Sequence, residues 1–259
     1  MPTFATFNVN SVNARLPILV DWLREAAPDV VLLQETKCVD AAFPHFEIQA
    51  LGYEALTHGQ KSYNGVAVLA KGGPVREVRR GLPGDDGDEQ ARYLEAEVLG
   101  CRVASIYLPN GNPLGTDKFA YKLRWLERLR AHAALLLEED VPLVLGGDYN
   151  VIPEPLDCAD PKAWEGDALY RPESRRAYRS LLHLGLTDAV RALHPVERIY
   201  SFWDYQKGSF QLDQGVRIDH LLLSARAADR LEAAWVDKEP RRRPKASDHT
   251  PVLVRLREG

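Results

Sequence analysis

This sequence predicts an α/β fold of layered, mixed sheets, on three grounds. Strand-like segments alternate with helical ones near the N-terminus, then follow one another directly through the middle of the chain. No GxGxxG follows the first strand and no GxxxxGKS/T occurs anywhere, which excludes the dinucleotide-binding and P-loop versions of an α/β sheet. No linker, repeat or low-complexity tract divides the 259 residues, so a single domain over 1–259 is expected.

Residues 4–9 are short, apolar and β-branched and form the first predicted strand. Leu16, Leu19, Val20 and Leu23 keep helical spacing, with Asn13 as the expected N-cap. A strand over 30–34 follows the turn pair Pro28-Asp29. Further strands are predicted over 65–70, 93–98 and 102–108, with the Gly/Asp-rich segment 81–89 as a loop. Phe119, Leu123, Leu126, Leu129 and Ala133 predict a second helix capped by Thr116 or Asp117. A strand over 143–145 then runs into Gly146-Gly147, a third helix covers 175–184, and strands over 218–224 and 252–256 close the chain.

Composition narrows the function. With 45% hydrophobic and 27% charged residues the chain has the make-up of a globular protein. Its 33 basic and 37 acidic residues give a formal charge of −4, which excludes a basic coat binding nucleic acid over the whole surface. Cys38, Cys101 and Cys158 are odd in number, far apart and outside any CxxC, so neither a disulfide framework nor a zinc knuckle is expected. Buried thiols in a reducing cytoplasm are the expectation, because the N-terminus lacks the pattern of a signal peptide. No apolar run reaches the length of a membrane span.

Polar residues gather where the strands end: Asn8 and Asn10, Glu35, Tyr107 and Asn110, Asp148 and Asn150, Asp219, then Asp248 and His249. Taken singly, each reads as a turn, a cap or a packing contact. Six such strand ends together point to one edge where loops build a site. Glu35, Asp148 and Asp248 are hard oxygen ligands suited to Mg²⁺ or Mn²⁺. Asn8 and Asn150 add neutral oxygens or amide donors. Asp219 and His249 form a carboxylate–imidazole pair, and Tyr107 and Asn110 offer donors to a phosphate oxygen. The set fits metal-assisted attack of water on a phosphodiester.

These segments are familiar as a set. Phe7-Asn8-Val9-Asn10, Leu33-Gln34-Glu35-Thr36-Lys37, Tyr107-Leu108-Pro109-Asn110-Gly111, Gly146-Gly147-Asp148-Tyr149-Asn150-Val151, Ser201-Phe202-Trp203-Asp204-Tyr205, Arg217-Ile218-Asp219 and Ser247-Asp248-His249 span almost the whole chain. In this the sequence resembles the exonuclease III family of apurinic/apyrimidinic endonucleases, within the endonuclease/exonuclease/phosphatase superfamily.

The resemblance implies a four-layer α/β sandwich of two packed mixed sheets flanked by helices. It implies a Mg²⁺-dependent phosphoric ester hydrolase of DNA repair, with Mn²⁺ able to substitute. Such an enzyme cleaves duplex DNA 5′ of abasic sites and carries 3′→5′ exodeoxyribonuclease and 3′-phosphatase activity. Its partner is duplex DNA with abasic sites or 3′ ends, and the protein is expected to be monomeric, off the membrane and without an obligate protein partner. Glu35 becomes the main metal ligand, aided by Asn8 or Asn10 and by Asp248, within a wider metal site that includes Asp148, Asn150 and His249. Asp148 or His249 serves as general base, Asn150 stabilises the transition state, Tyr107 and Asn110 hold the phosphate, and Asp219 orients His249. Lys118 approaches the phosphate. Phe202, Trp203 and Ile218 line an apolar pocket for the abasic sugar. The alternatives are a same-fold phosphodiesterase acting on RNA or another phosphate ester, and a non-enzymatic DNA-binding module.

Two departures from the relatives stand beside the pocket: Val216, where a larger Trp or Leu is common, and Asp213, where Asn or Arg is common. They are expected to alter the balance of abasic-site cleavage and exonuclease action. Arg217, Arg241 and Arg242 are expected on the DNA side. The run Arg241-Arg242-Arg243-Pro244-Lys245 forms a basic rim, and Arg171, Arg175, Arg176 and Arg179 form a second basic group. The acids Asp85, Asp86, Asp88 and Glu89 are expected to face solvent.

Overall fold

A computed structural model describes residues 1–258. Two six-stranded sheets form its centre. In chain order the elements are β1 (Thr3–Asn8), α1 (Leu16–Glu25), β2 (Val30–Gln34), α2 (His45–Gln49), β3 (Tyr53–His58), β4 (Val66–Lys71), β5 (Arg76–Arg80), β6 (Tyr93–Val98), β7 (Cys101–Tyr107) and α3 (Asp117–Glu138). There follow β8 (Leu143–Asp148), α4 (Pro161–Trp164), α5 (Pro172–Leu182), β9 (Thr187–Asp188), α6 (Ala189–Leu193), β10 (Asp219–Leu223), α7 (Ala225–Ala228), β11 (Leu231–Val236), α8 (Glu239–Arg242) and β12 (Val252–Leu256).

One sheet has the order β11-β12-β1-β2-β4-β3 and the other β5-β6-β7-β8-β10-β9. Each holds one parallel pair, β1 with β2 and β7 with β8, and the remaining pairings are antiparallel. A parallel pair needs a crossover, which α1 supplies in the first sheet and α3 in the second. Phe4, Leu32, Val68, Val103, Val144 and Val254 pack in the core between the sheets. Trp22 and Leu19 of α1 cover the outer face of the first sheet, while Leu126 and Leu129 of α3 and Tyr178 of α5 cover that of the second. The result is the four-layer sandwich. Both parallel pairs end on one edge, so Asn8, Gln34, Tyr107 and Asp148 sit there together.

Three local expectations are corrected. Asn13 does not cap α1; the helix starts at Leu16 with Pro17 in its first turn, and Asn13 Nδ2 donates to the Ala42 carbonyl. α5 begins at Pro172, where proline fits because its missing N–H has no helical partner to lose. β8 runs on through both glycines to Asp148. A Cβ on Gly146 would come within 2.6 Å of Leu32 and Leu221 side-chain atoms, so glycine there lets the sheets approach. Thr116 does cap α3, accepting from Lys118 N–H.

Strands β3, β5 and β11 carry no apolar run in the sequence. All three lie at or next to sheet edges, and β5 is exposed at every residue, so a polar sequence is tolerated there. In the 81–89 loop, Asp88 turns inward rather than to solvent: it pairs with Arg128 at 2.7 Å and accepts from Tyr121 at 3.0 Å. All three cysteines are buried and unpaired. Among the described residues no helix is long and apolar enough to cross a membrane.

Candidate active site

The loops leaving β1, β2, β7 and β8 meet the start of β10 and the turn before β12. Asn8 bridges the two sheets: its Nδ2 donates to Glu35 Oε1 and to Asp148 Oδ2, each at 2.9 Å. Glu35, Asp148 and His249 each offer a ligand atom, and these atoms lie within 4.8 Å of one another. His249 stands between two acids, with Nδ1 2.8 Å from Asp219 Oδ2 and Nε2 3.7 Å from Asp148 Oδ2. Ser201 Oγ donates to Asp219 Oδ2 at 2.6 Å, and Phe202 packs edge-on against the imidazole at 5.0 Å.

Backbone strain marks the same residues. Glu35, Asn10 and Asn150 adopt left-handed φ values of 51°, 45° and 48°. Asn150 is over-determined: its N–H bonds Asp148 Oδ1 at 2.9 Å, its Nδ2 the Leu108 carbonyl at 2.9 Å, and its Oδ1 accepts from Asn110 Nδ2 at 3.2 Å.

The electrostatics separate the two acids. Burial alone raises the Glu35 pKa, but hydrogen bonds from Asn8 and Lys37 and the charges of Lys37 and His249 bring it below the usual range. Asp148 moves the other way: burial raises it, and Asp219 and Glu35 add to that against the pull of His249. Burial works against a charged His249, yet the carboxylates of Asp219 and Asp148 overcome it and raise the imidazole's pKa. Burial, with Glu35 and Asp148 close by, holds the Tyr107 phenol protonated. The guanidinium of Arg92 lies over the Tyr107 ring at 4.8 Å.

This donor set fits a hard divalent cation. The Glu35 and Asp148 carboxylates converge beside His249, and the repulsion between the two acids is the kind a cation relieves. The other predicted ligands turn their side-chain oxygens to other partners. Asn8 presents its amide nitrogen to the carboxylates, and its oxygen accepts from Asn10 N–H at 3.0 Å. Asp248 stands apart, accepting from Asn10 Nδ2 at 3.1 Å. Asn10 also accepts from Lys37 Nζ at 2.6 Å, and Lys37 pairs with Glu35 at 2.7 Å. Asn150 is engaged at every polar side-chain atom, as above.

The predicted DNA-facing residues divide. Lys118 is exposed at the start of α3 and lines a 270 Å³ cleft with Asn110, Arg92 and Tyr121. Phe202 and Val216 line a 610 Å³ cleft with Trp164 and Leu212. Ile218 is buried beneath Val216 in a small apolar cluster. Trp203 is wholly buried instead of lining the cleft, and its Nε1 donates to Asp213 Oδ1 at 3.1 Å. Asp213 also pairs with Lys238 at 3.0 Å, so it adds no free negative charge. Arg217 is wholly buried, held by Asp157 and Asp188, and does not reach the surface. Arg242 turns to Glu239. Arg241 is half-buried; its Nη2 donates to the Trp203 carbonyl at 3.1 Å and its guanidinium lies over Tyr205 and Phe210.

Sequence reasoning passed over Lys37, Arg92, Ser201 and Lys122. Lys37 and Ser201 stand inside the segments that carry the resemblance. Lys122 had its own signal: it precedes Leu126, Leu129 and Ala133 on the buried stripe of α3, where a lysine is out of place.

A family model described as the endonuclease/exonuclease/phosphatase family matches residues 5–249. The chain belongs to this family. Within it, the chain is 34% identical to exodeoxyribonuclease III of Haemophilus influenzae, covering 98% of this chain and 99% of the relative. Among solved structures it is similar to an AP endonuclease from Archaeoglobus fulgidus, with TM-score 0.95 and 37% identity over 99% of both chains. It is also similar to a 3′ phosphatase from Neisseria bound to product DNA hairpin, with TM-score 0.97 and 37% identity over 100% of both chains.

Proposed function

We propose that this member of the family is a Mg²⁺-dependent DNA-repair phosphodiesterase, a single catalytic domain that incises duplex DNA 5′ of abasic sites and processes 3′ ends at the same site. The convergence of Glu35, Asp148 and the Asp219–His249 pair carries the proposal. Glu35 would hold the ion, with Asp148 within reach of the same place, and the bound ion supplies Lewis acidity and positive charge at the phosphate. Asp148, whose pKa burial raises, is the group suited to take a proton from the attacking water. His249, kept charged by its acids, donates from Nε2 to a phosphate oxygen. Tyr107 and the Asn110 and Asn150 amides supply further donors around the developing charge. The cleft lined by Phe202 and Val216 receives the abasic sugar.

The similarity to the 3′ phosphatase supports 3′-end processing, and the AP endonuclease supports incision. One labelled duplex with a central tetrahydrofuran site, and a second with a 3′-phosphate, test both in Mg²⁺ and in EDTA. EDTA-sensitive incision or phosphate release is expected, and Asp148→Asn should slow it on the order of 10²–10⁴-fold. Tight binding without cutting would identify a binding module, and neither binding nor cutting a different phosphate ester as substrate.

A further inference from the structure

Lys122 is wholly buried on the inner face of α3, opposite two loops of the proposed site. Its Nζ donates to the Asn110 carbonyl at 3.0 Å and to the Asn150 carbonyl. These two residues follow β7 and β8, so one side chain ties together the ends of the parallel pair. Asn150 is left-handed at φ 48°, and its N–H and side-chain atoms are already bonded, which leaves the carbonyl as the group that Lys122 holds. Gly111 makes room for the clamp. Its φ is 88°, and a Cβ there would come 2.7 Å from Lys122 Cδ.

We infer that Lys122 is a positioning residue for phosphodiester hydrolysis, fixing the Asn110 and Asn150 loops against each other so that their amides meet the phosphate in the transition state. This rests on the proposed function. The acids facing the ammonium are Asp148 from β8 and Asp167 from the loop before α5, and burial outweighs both, pushing its pKa down to about 7. The clamp does not depend on the charge, because a neutral amine keeps two N–H donors for two carbonyls. Displaced amides weaken the transition state more than the bound ground state.

Lys122→Met keeps the stem and removes the donors. Single-turnover incision of the tetrahydrofuran duplex in Mg²⁺ should slow about 10–100-fold. The Kd for uncleaved duplex, read by fluorescence anisotropy in EDTA, should stay within about 2-fold of wild type, since the surface cations that dominate phosphate affinity are untouched. Gly111→Ala keeps the lysine but pushes its stem aside, and should produce the same loss of rate at unchanged Kd. It decides the matter should Lys122→Met fail to fold. Wild-type rates in Gly111→Ala, or rate and Kd falling together, overturn the clamp while the functional proposal stands on the wild-type cut. An inactive wild type removes the functional proposal, and the positioning role falls with it.

Discussion

Nε of Arg217 lies 2.7 Å from Oδ1 of Asp157, and both side chains are wholly out of solvent. The same guanidinium meets Asp188 Oδ2 at 2.9 Å and His220 Nδ1 at 3.0 Å, while Arg191 adds a second cation on Asp157. The two charged residues of Arg217-Ile218-Asp219 therefore serve different partners: Asp219, the first residue of β10, turns to His249, and Arg217, just before the strand, turns into the protein. Arg217→Met strands two buried carboxylates and should cost about 3–5 kcal/mol, read as a lower urea midpoint. The salt dependence of DNA binding by the folded protein should not change. A full-stability variant with a weaker salt dependence would return Arg217 to the DNA surface.

His220 gives this network a pH response. Its Nδ1 accepts from Arg217 and its Nε2 donates to the Val151 carbonyl at 2.9 Å, an arrangement that needs a neutral ring. Burial and the Arg217 charge lower its pKa from 6.5 to about 4. The unfolded chain takes up this proton first, so the contribution is whole above pH 6.5 and is lost as pH falls toward about 4. The full loss is about 3 kcal/mol. Asp188, with a lowered pKa, adds a separate loss only below its ordinary 3.8. His220→Gln, which offers the same donor and acceptor without titrating, should flatten Tm against pH between 4 and 6.5; an unchanged slope would falsify the assignment.

Asp219 sets the charge on His249. Asp219→Asn keeps a polar partner for Nδ1 but removes the carboxylate that most raises the imidazole's pKa. Activity on the abasic duplex should fall on the order of 10²–10⁴-fold. The high-pH limb of kcat/KM should move to lower pH, because the charged ring is lost sooner. An unmoved limb would mean that His249 acts as a neutral group.

Much of this was legible in the sequence, for identifiable reasons. Strands β1, β2, β6 and β12 are central or core-facing, so burial forces an apolar run that pattern reading finds. Edge strands β3, β5 and β11 answer to hydrogen bonding at the sheet margin and leave no such run. In the site, residues whose chemistry is unusual at a strand end stood out, among them Glu35, Asp148 and His249. Which way a long side chain turns was not legible. Arg217, Arg241 and Arg242 look alike in sequence, and only the acids around each one separate them. Trp203 likewise turns inward because Gly215 lies against its indole, where a Cβ would come 2.5 Å from Nε1.

Val216 forms one wall of the cleft, its backbone N–H and C=O both paired with Phe202 at 3.0 Å. With Asp213 paired to Lys238, the size of residue 216 is the property left to shape the cleft. Val216→Trp should fill cleft volume and shift the ratio of abasic-site incision to 3′-end trimming on matched duplexes. Overpacking of about 1–3 kcal/mol is the accompanying stability cost. Equal slowing of both activities would show that Val216 only packs.

The basic rim before His249 reduces to fewer cations than the sequence offers. Arg242 is paired with Glu239, and Arg243 with Asp21 at 3.1 Å and Glu25 at 2.7 Å. Arg241 faces no acid at ion-pair distance among the described residues; burial lowers its pKa, while Tyr205 and Asp248 only partly oppose that. Its one side-chain hydrogen bond runs from Nη2 to the Trp203 carbonyl, so the guanidinium retains charge and donors for an incoming anion. A phosphate taken up there releases a counterion that Arg243, already neutralised by two acids, does not. Arg241→Gln should thus reduce the slope of log K against log salt by about one, with the affinity lost equally across DNA sequences. Arg243→Gln should leave that slope unchanged. Anisotropy titrations of a short duplex in EDTA across a salt series distinguish the two, and the reverse pattern would place the DNA backbone against α1 instead of beside Tyr205.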